Sequence, residues 1–293
     1  MRHLSLRDWR TLQQFHHDLL APFAADRVER QALGVKHPVR DFLFEYYAYR
    51  PAHLLRWSPG VDVVLEDANL GDFPWNEFEQ VEGGLLLATA NFPQHRRSFV
   101  TWAISYLEGI AERPPSFSCF GLHEWAMVYR AQEVRHARTP LRLSPKEIAE
   151  FVESEGLRCT HFDAYRFFTP EAVPLNRWPL ARAATTEHDQ KGCLHVTMDL
   201  YRYAFKLTPW CAAEILADSF LLAWDVRHLD MRASPYDLRE FGIEPLLIET
   251  RDGRDEYVAR QREFTQRGEP IRRRLLQEYY SVSARNEAAV SLE

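Results

Sequence analysis

Glycine, cysteine and lysine are scarce in this chain of 293 residues, and the few glycines and cysteines exclude or disfavour several classes of site. The 12 glycines form no glycine-rich phosphate loop and no Gly-x-Ser-x-Gly elbow, which excludes P-loop, Rossmann and serine-hydrolase sites. The paired Glu-x-x-His pattern of di-iron helix bundles does not occur either. The four cysteines form no Cys-x-x-Cys pair, and this spacing favours reduced thiols and a cytoplasmic location.

A surplus of positive charge is also absent. Lys and Arg number 36 against 42 Asp and Glu, so the formal net charge is -6. This balance disfavours binding to extended duplex DNA. Only four of the 36 cations are lysines, and the planar fork of the arginines suits carboxylate or phosphate groups. No apolar run reaches the ~20 residues that span a bilayer, so we expect neither a membrane partner nor a signal segment.

Apolar residues at helical spacing recur along the chain, and 46% of its residues are hydrophobic. The pattern predicts a mainly α fold: a single compact helical domain over residues 1–293, with a few short strands or extended segments and a frayed tail over 281–293. The predicted helices cover residues 7–32, 39–49, 94–110, 120–135, 145–155, 194–207, 209–227 and 253–280. A strand is predicted at 61–65, an extended segment at 158–168 and an irregular binding loop at 170–190.

Histidines and carboxylates occur close together in five segments, and the first contains His37, Asp41 and Glu45. On a helix these three side chains share one face, because steps of four residues stay in register. Such a face can bind a metal or carry acid–base chemistry, or it can be a solvated stripe of salt bridges. The sequence leaves both interpretations open.

The second segment places a thiol near a His–Glu pair. His123 and Glu124 can face one pocket if they lie at a helix start, or they can be buried groups satisfied by their neighbours. Cys119 is either a nucleophile with His123 as its base or an inert buried thiol. Trp125 and Tyr129 follow directly and can supply aromatic surface for a bound ring.

The third segment repeats the pairing of imidazole with carboxylate. If it is extended, His161, Asp163 and Tyr165 lie on one face, an arrangement that orients an imidazole or binds a cation. Burying these polar groups among aromatic residues without partners would be costly. We therefore favour a functional role for this segment.

The fourth and fifth segments lie in the second half of the chain. His195 and Asp199 are one turn apart on a predicted helix and share a face. The fifth segment contains Asp230, Arg232 and Tyr236, in a polar loop after a long apolar helix, where ligand contacts often lie. Because all five segments stand beside Trp, Tyr or Phe, together they predict a concave aromatic pocket with convergent polar groups.

Five stretches of the chain resemble a bacterial protein family whose members carry the label 3-methyladenine DNA glycosylase. The resemblance covers roughly residues 30 to 265 and implies a connection with nucleobases or N-glycosides. The stretches that carry it are residues 36–47, 50–60, 120–129, 161–170 and 230–237.

The first functional hypothesis is accordingly an N-glycoside or nucleobase hydrolase. Asp163 or Glu124 would activate water, and His161 or His123 would protonate the leaving base. Aromatic and arginine side chains would bind the nucleobase-containing substrate. The substrate-binding residues predicted for this reaction are Trp125, Tyr129, Tyr165, Arg166, Arg232 and Tyr236.

Two further hypotheses come from different classes. One is a metal-dependent, non-haem enzyme that uses a divalent transition metal on a small aromatic or nucleoside-like molecule. The other is a ligand-binding protein without catalytic activity, and the sequence leaves the oligomeric state open. The ligands predicted for the metal are His37, His195 and Asp199, together with His123, His161 and Asp163.

Overall fold

The computed structural model describes residues 1–132 and 139–290, with side chains as far as Ser283. Helices account for 58% of the chain and only a small sheet accompanies them, which confirms the predicted mainly α, single compact domain. The helices are α1 (Leu6–Ala32), α2 (Phe42–Tyr46), α3 (Pro51–Leu54), α4 (Arg97–Glu112), α5 (Leu122–Ala126), α6 (Pro145–Glu155), α7 (Phe162–Tyr165), α8 (Thr185–His188), α9 (Leu194–Leu207), α10 (Ala213–Arg232) and α11 (Arg251–Val290). The strands are β1 (Arg2–Leu4), β2 (Val63–Glu66), β3 (Phe78–Val81) and β4 (Gly84–Leu87).

Helix α10 packs along α9, and the long α11 lies against both of them and against α4. The contact surfaces are apolar, with Leu200 and Tyr201 of α9, Phe220 and Leu222 of α10 and Tyr279 of α11 all buried. Complete burial of side chains of this size stabilises the fold by about 1.5–3 kcal/mol each. This core fixes the spacing of α9 and α10, which carry most of the polar cluster described below.

The four strands form one sheet in the order β1-β2-β4-β3, at the side of α1. Strands β1 and β2 are parallel, whereas β4 pairs antiparallel with both β2 and β3. The indole nitrogen of Trp9 in α1 donates to the carbonyl of Glu66 at 3.0 Å, and Phe23 of α1 packs edge-on against Phe220. Helix α1 therefore connects the sheet to the helical core.

Local signals in the sequence locate several helices accurately. Helix α6 begins and ends where predicted, because Ser144 and Glu147 form a reciprocal capping box and Gly156 ends the helix. Helix α9 also has the predicted limits, and α1 starts one residue earlier than predicted. These helices combine an apolar face with distinct end signals.

Two predicted helices are much shorter than expected. The predicted helix 39–49 is limited to α2, since Ala48 adopts a left-handed φ of 54° and His37 lies before the helix. The predicted helix 120–135 is limited to α5, since Phe120 and Arg130 have φ of 51° and 49°. Residues 133–138 lie outside the described part of the chain.

The predicted extended segment 158–168 is also wrong in part, because α7 lies within it. His161 is the extended residue that precedes α7, and its carbonyl accepts a hydrogen bond from the backbone N–H of Tyr165 at 3.0 Å. The face shared by alternating residues is therefore not formed. The predicted frayed tail is helical as far as Val290, and its side chains beyond Ser283 and its last three residues are not described.

Candidate metal centre

Three histidines from distant parts of the chain meet in the core. His123 comes from α5, His161 precedes α7, and His195 belongs to the first turn of α9. The ring of His195 lies between the other two, edge-on to His123 with centroids 4.5 Å apart and stacked on His161 with centroids 5.1 Å apart. All three side chains are buried. Three segments that are far apart in the sequence thus converge in the core, which the sequence alone leaves open.

One set of three potential metal ligands stands out among the described residues. His123, His195 and Asp230 are all buried, and each offers one ligand atom within 4.8 Å of the other two. Asp230 comes from the last turns of α10. Two imidazoles and one carboxylate form a donor set that catalytic zinc and non-haem iron sites use, with coordination positions left for water or substrate.

The contact between His123 and Asp230 has an unusual geometry. The Nε2 atom of His123 lies 2.8 Å from Oδ1 of Asp230, but the ring N–H direction is not aligned with that oxygen. Among the described residues neither atom has a hydrogen-bond partner. Leaving a buried polar atom unsatisfied costs about 1–3 kcal/mol. A cation that both atoms contact would remove this cost for each of them.

Neighbouring side chains hold the two ligands by their other polar atoms. Arg227 donates from Nη1 to Oδ2 of Asp230 at 2.9 Å and to Oε1 of Glu124 at 2.8 Å. The Sγ atom of Cys119 lies 3.7 Å from Nδ1 of His123. Partners of this kind orient metal ligands and fix the histidine tautomer. The atoms that face each other are then Nε2 of His123 and Oδ1 of Asp230.

The surroundings shift the pKa values of His195 and His123 in opposite directions. Burial, together with the neighbouring His123 and His161, lowers the pKa of His195 well below its ordinary value, so His195 is neutral and its lone pair is available. Burial opposes a charge on His123, but the carboxylate of Asp230 outweighs it and raises the pKa of His123. A proton on His123 therefore balances the Asp230 charge in the absence of a metal.

A left-handed glycine positions α5. Gly121 has φ of 77°, and a Cβ atom at this residue would lie 3.3 Å from the ring of Tyr257 and 3.4 Å from Cβ of Ala233. Glycine suits this conformation because it has no side chain to clash with its own backbone. The close approach places His123 opposite the end of α10, where Asp230 lies.

A large cavity reaches this centre at His195, the one proposed ligand in its wall. Its volume is about 730 Å³, which is sufficient for a drug-sized molecule, and His195, Glu124 and Arg227 contribute to its wall. Aromatic and apolar side chains form other parts of the wall: Phe42, Tyr46, Met127, Phe167 and Phe241. A small molecule in this cavity would contact the same His195 ring that belongs to the candidate ligand set.

A second polar cluster lies on the other side of His195. Nδ1 of His161 is 3.0 Å from Oδ1 of Asp189, whose other oxygen accepts from Tyr106 at 2.6 Å. Asp199 accepts a hydrogen bond from the hydroxyl of Tyr47 at 2.7 Å. Burial opposes a charge on His161, but Asp189 outweighs it and raises the pKa of His161. His161 and Asp199 are thus close to the candidate ligand set without belonging to it.

The structure places the other predicted metal and acid–base residues at the edge of the site. His37 lines the large cavity, but its Nδ1 accepts the backbone N–H groups of Val39 and Arg40 at 3.2 Å, and burial lowers its pKa to about 4. The predicted face with Asp41 is not formed because His37 lies outside the helix. Asp163 lines the cavity wall and is paired with Arg202 at 3.0 Å.

None of the six predicted substrate-binding residues lines the large cavity in the described structure. Trp125 is a core residue whose indole donates to the carbonyl of Ala233, and Tyr236 is equally buried. The other four lie away from the cavity and make contacts of their own. Tyr129 binds Glu153, Tyr165 packs on Phe168, Arg166 pairs with Asp163, and Arg232 donates to the carbonyl of Glu244.

Three residues that matter to the site are not among the predicted site residues: Asp230, Arg227 and Asp189. Asp230 belongs to the fifth segment and follows Arg227 at helical i, i+3 spacing inside an apolar helix. Asp189 lies near the end of the predicted binding loop 170–190 and is completely buried. A charged pair inside an apolar helix is the sequence signal that points to Asp230.

Comparisons with protein-family models, with curated proteins and with solved structures each give no match. The resemblance to the glycosylase-labelled family therefore stays a prediction from the five stretches that carry it. Among the described helices, none combines the length and the apolar character that crossing a bilayer requires.

Proposed function

We propose that this protein is a metal-dependent enzyme that binds one divalent transition metal through His123, His195 and Asp230. The observation that carries the proposal is the buried pair of Nε2 of His123 and Oδ1 of Asp230, 2.8 Å apart and without a hydrogen bond, beside the neutral ring of His195. Imidazole nitrogen and carboxylate oxygen are good ligands for zinc and iron. Arg227 and a protonated His123 are the present partners of Asp230, and a metal would replace the proton on His123 as the charge that balances this carboxylate.

The surrounding residues support this assignment. Arg227 donates to Oδ2 of Asp230, and Cys119 contacts the Nδ1 atom of His123, so neither neighbour occupies Oδ1 of Asp230 or Nε2 of His123. Each ligand side chain is thus held through one polar atom, while its other polar atom is the one that would bind the metal. Such a metal would act as a Lewis acid or activate water or dioxygen.

The large cavity is the proposed binding site for the substrate. Its aromatic wall fits a small, partly aromatic molecule, and the buried hydroxyl of Tyr46 has no hydrogen-bond partner within the described part of the chain. A substrate that carries an acceptor atom would satisfy this hydroxyl. Glu124 lies in the same wall, held by Arg227, and is placed to accept a proton from a bound molecule.

Elemental analysis of protein purified without chelator tests the proposal. We expect about one equivalent of a single transition metal, and its identity selects the reaction, since zinc favours hydrolysis and iron favours dioxygen chemistry. Addition of a chelator should release the metal and abolish turnover. Asp230→Asn should lower the metal content, whereas Asp237→Asn, which changes a partly exposed carboxylate paired with Arg239, should retain it.

Two results would count against the proposal. One is a metal content below about a tenth of an equivalent after purification with added metal, combined with turnover that a chelator does not affect. The other is specific binding of a captured ligand without any turnover, which would support a non-catalytic binding protein. The N-glycoside hydrolase implied by the family resemblance stays a prediction, and base release that persists in both Asp163→Asn and Glu124→Gln variants would exclude it.

A cytoplasmic location accompanies this proposal. All four cysteines are free thiols in the structure, which is the state that a reducing compartment maintains. A ferrous site would also be favoured in such a compartment. Fractionation of cells that express the protein tests the location.

A further inference from the structure

A second cavity lies beside the large one and does not include the three proposed metal ligands. Its volume is about 550 Å³, and Asp163 belongs to the walls of both cavities. His161, Asp189 and Asp199 contribute to the wall of the second cavity, but His123, His195 and Asp230 do not. A molecule bound there would therefore occupy a site of its own.

The strongest sign of a missing partner in this cavity is His161. Its Nδ1 atom is held by Asp189, whereas its Nε2 atom is buried and has no hydrogen-bond partner among the described residues. The side chain of His161 is only 3% exposed. The nearest carboxylate oxygen, Oδ2 of Asp199, is 4.0 Å away, which is too long for a direct hydrogen bond.

A hydroxyl group is the chemical group that fits this gap. A hydroxyl both donates and accepts, so one oxygen can bond to the His161 ring nitrogen and donate to the Asp199 carboxylate. A purely anionic group would be repelled by the carboxylate of Asp199. A purely apolar group would leave Nε2 of His161 and Oδ2 of Asp199 without a hydrogen bond to the ligand. The 4.0 Å separation allows one oxygen atom to reach both at normal hydrogen-bond distances in a bent arrangement.

The remaining charges of the second cavity are paired with each other. Arg202 lies 3.0 Å from Oδ2 of Asp163 and 3.4 Å from Oδ2 of Asp199, and Arg182 approaches Asp163 to 4.0 Å. Because each carboxylate already has a protein donor, the wall offers alternating donors and acceptors without a large net charge. Such a wall matches a neutral ligand with several hydroxyls better than a free anion or cation.

An aromatic surface completes the cavity. The indole of Trp102 is stacked on Tyr106 with centroids 4.9 Å apart, and Trp102 is 39% exposed. Tyr203 contributes a further ring, and Ser105 adds a hydroxyl. A flat apolar face beside paired polar groups suits a ligand that is itself apolar on its faces and polar at its edges.

We propose that the second cavity is a binding site for a small polyhydroxylated molecule of the sugar class, with one ligand hydroxyl bridging His161 and Asp199 and the sugar ring lying against Trp102. Two observations carry the proposal: the buried, unpaired ring nitrogen of His161 and the exposed indole in the same wall. Neither depends on the metal, so this site stands whether or not the metal proposal holds.

Saturation-transfer NMR on chelator-treated full-length protein tests the site without any metal. The probes are D-ribose and D-glucose, with 2-deoxy-D-ribose as the analogue that lacks one hydroxyl. We expect transfer to the complete sugars and about tenfold weaker binding of the deoxy analogue, because a site that hydrogen-bonds a hydroxyl rejects the ligand that lacks it. If the cavity holds only water, none of the sugars will show saturation transfer, and this result would overturn the proposal.

Variants at the exposed rim make the test independent of folding. Trp102→Leu and Arg182→Ala should each weaken ribose binding by about fivefold or more. The matched controls are Phe15→Leu and Arg251→Ala, which change an exposed aromatic and an exposed arginine elsewhere, at 66% and 89% exposure. His161→Phe should abolish binding if the variant folds. Unchanged ribose binding in both rim variants would place the sugar elsewhere and refute the assignment.

Discussion

The Nε2 atom of His123 and the Oδ1 atom of Asp230 lie 2.8 Å apart across 107 residues of sequence, buried and without a hydrogen bond between them. The close contact brings one nitrogen and one oxygen ligand atom together at a single place in the core. His195 contributes a third ligand atom within 4.8 Å of the other two. The predictions below test this centre and the scaffold that holds it.

Removal of the third ligand should abolish metal binding. Changes to residues that only orient a ligand weaken metal affinity by about 10- to 100-fold, so loss of a ligand itself should exceed about 100-fold. We expect His195→Ala to lose its metal on gel filtration. His37→Ala is the matched control, because His37 lines the same cavity but donates no atom to the set. Equal metal content in the two variants would show that the ligands are wrongly assigned.

Arg227 should be essential for stability. It is 1% exposed, it donates to both Asp230 and Glu124, and its guanidinium lies 3.8 Å from the ring centroid of Phe42. Arg227→Met leaves two buried carboxylates without their partner, which should lower the free energy of unfolding by about 3–5 kcal/mol. Urea unfolding measures this change.

A double variant tests the cause of that loss. Adding Glu124→Gln to Arg227→Met removes one of the two unpaired charges, so the double variant should be more stable than the sum of the single changes predicts. Strict additivity within about 0.5 kcal/mol would show that the Arg227–Glu124 contact contributes nothing to stability.

Glu278 should make the protein less stable as the pH rises. Burial, with Glu214 and Asp62 nearby, raises the pKa of Glu278 from 4.5 to about 7. The folded state therefore holds a proton between pH 4.5 and 7 that the unfolded state releases, and stability falls through this window. At pH 8 we expect Glu278→Gln to be about 2–3 kcal/mol more stable than the wild type, with little difference at pH 4.

The pH dependence of unfolding by denaturant checks this expectation. Glu82→Gln is the control, because Glu82 is an exposed carboxylate in the turn between β3 and β4. The assignment fails if the two variants show the same change in stability between pH 5 and pH 8.

Replacing Gly121 by alanine should lower both the stability of the fold and the affinity for the metal. An alanine in the left-handed region costs about 1–2 kcal/mol, and at Gly121 its Cβ would also press on Tyr257 at 3.3 Å. Gly242→Ala is the matched control, since Gly242 has a similar φ of 69° and nothing within 4 Å of its Cβ position. We expect only Gly121→Ala to reduce metal affinity as well, measured by titration with the metal. Equal affinity in the two variants would exclude a positioning role.

Local sequence signals were sufficient for helices that have both an apolar face and defined ends. Helix α6 follows directly from its Ser144–Glu147 capping box, and α9 from its apolar periodicity. The same periodicity indicates that His195 and Asp199 lie one turn apart on α9. These features depend only on residues a few positions apart.

Other features depend on contacts across the chain and could not be read from local patterns. Short helices such as α7 have too few residues to show a period, so the sequence predicts an extended conformation for Asp163 and Tyr165, which lie in this helix. The partner of His123 is on α10, and nothing near position 123 identifies it. The aromatic residues next to the polar segments suggested pocket walls, but Trp125 packs in the core because α5 presents it to Ala233. Which face an aromatic presents is decided by packing partners that the sequence does not name.

Asp163 belongs to the walls of both cavities, and this gives the two chambers a shared boundary. A ligand that displaces Asp163 on one side would therefore alter the wall on the other side. The two affinities would then be thermodynamically linked, and each occupant would change the affinity for the other by the same factor. The concentration of either molecule would in that case influence how strongly the protein holds the other.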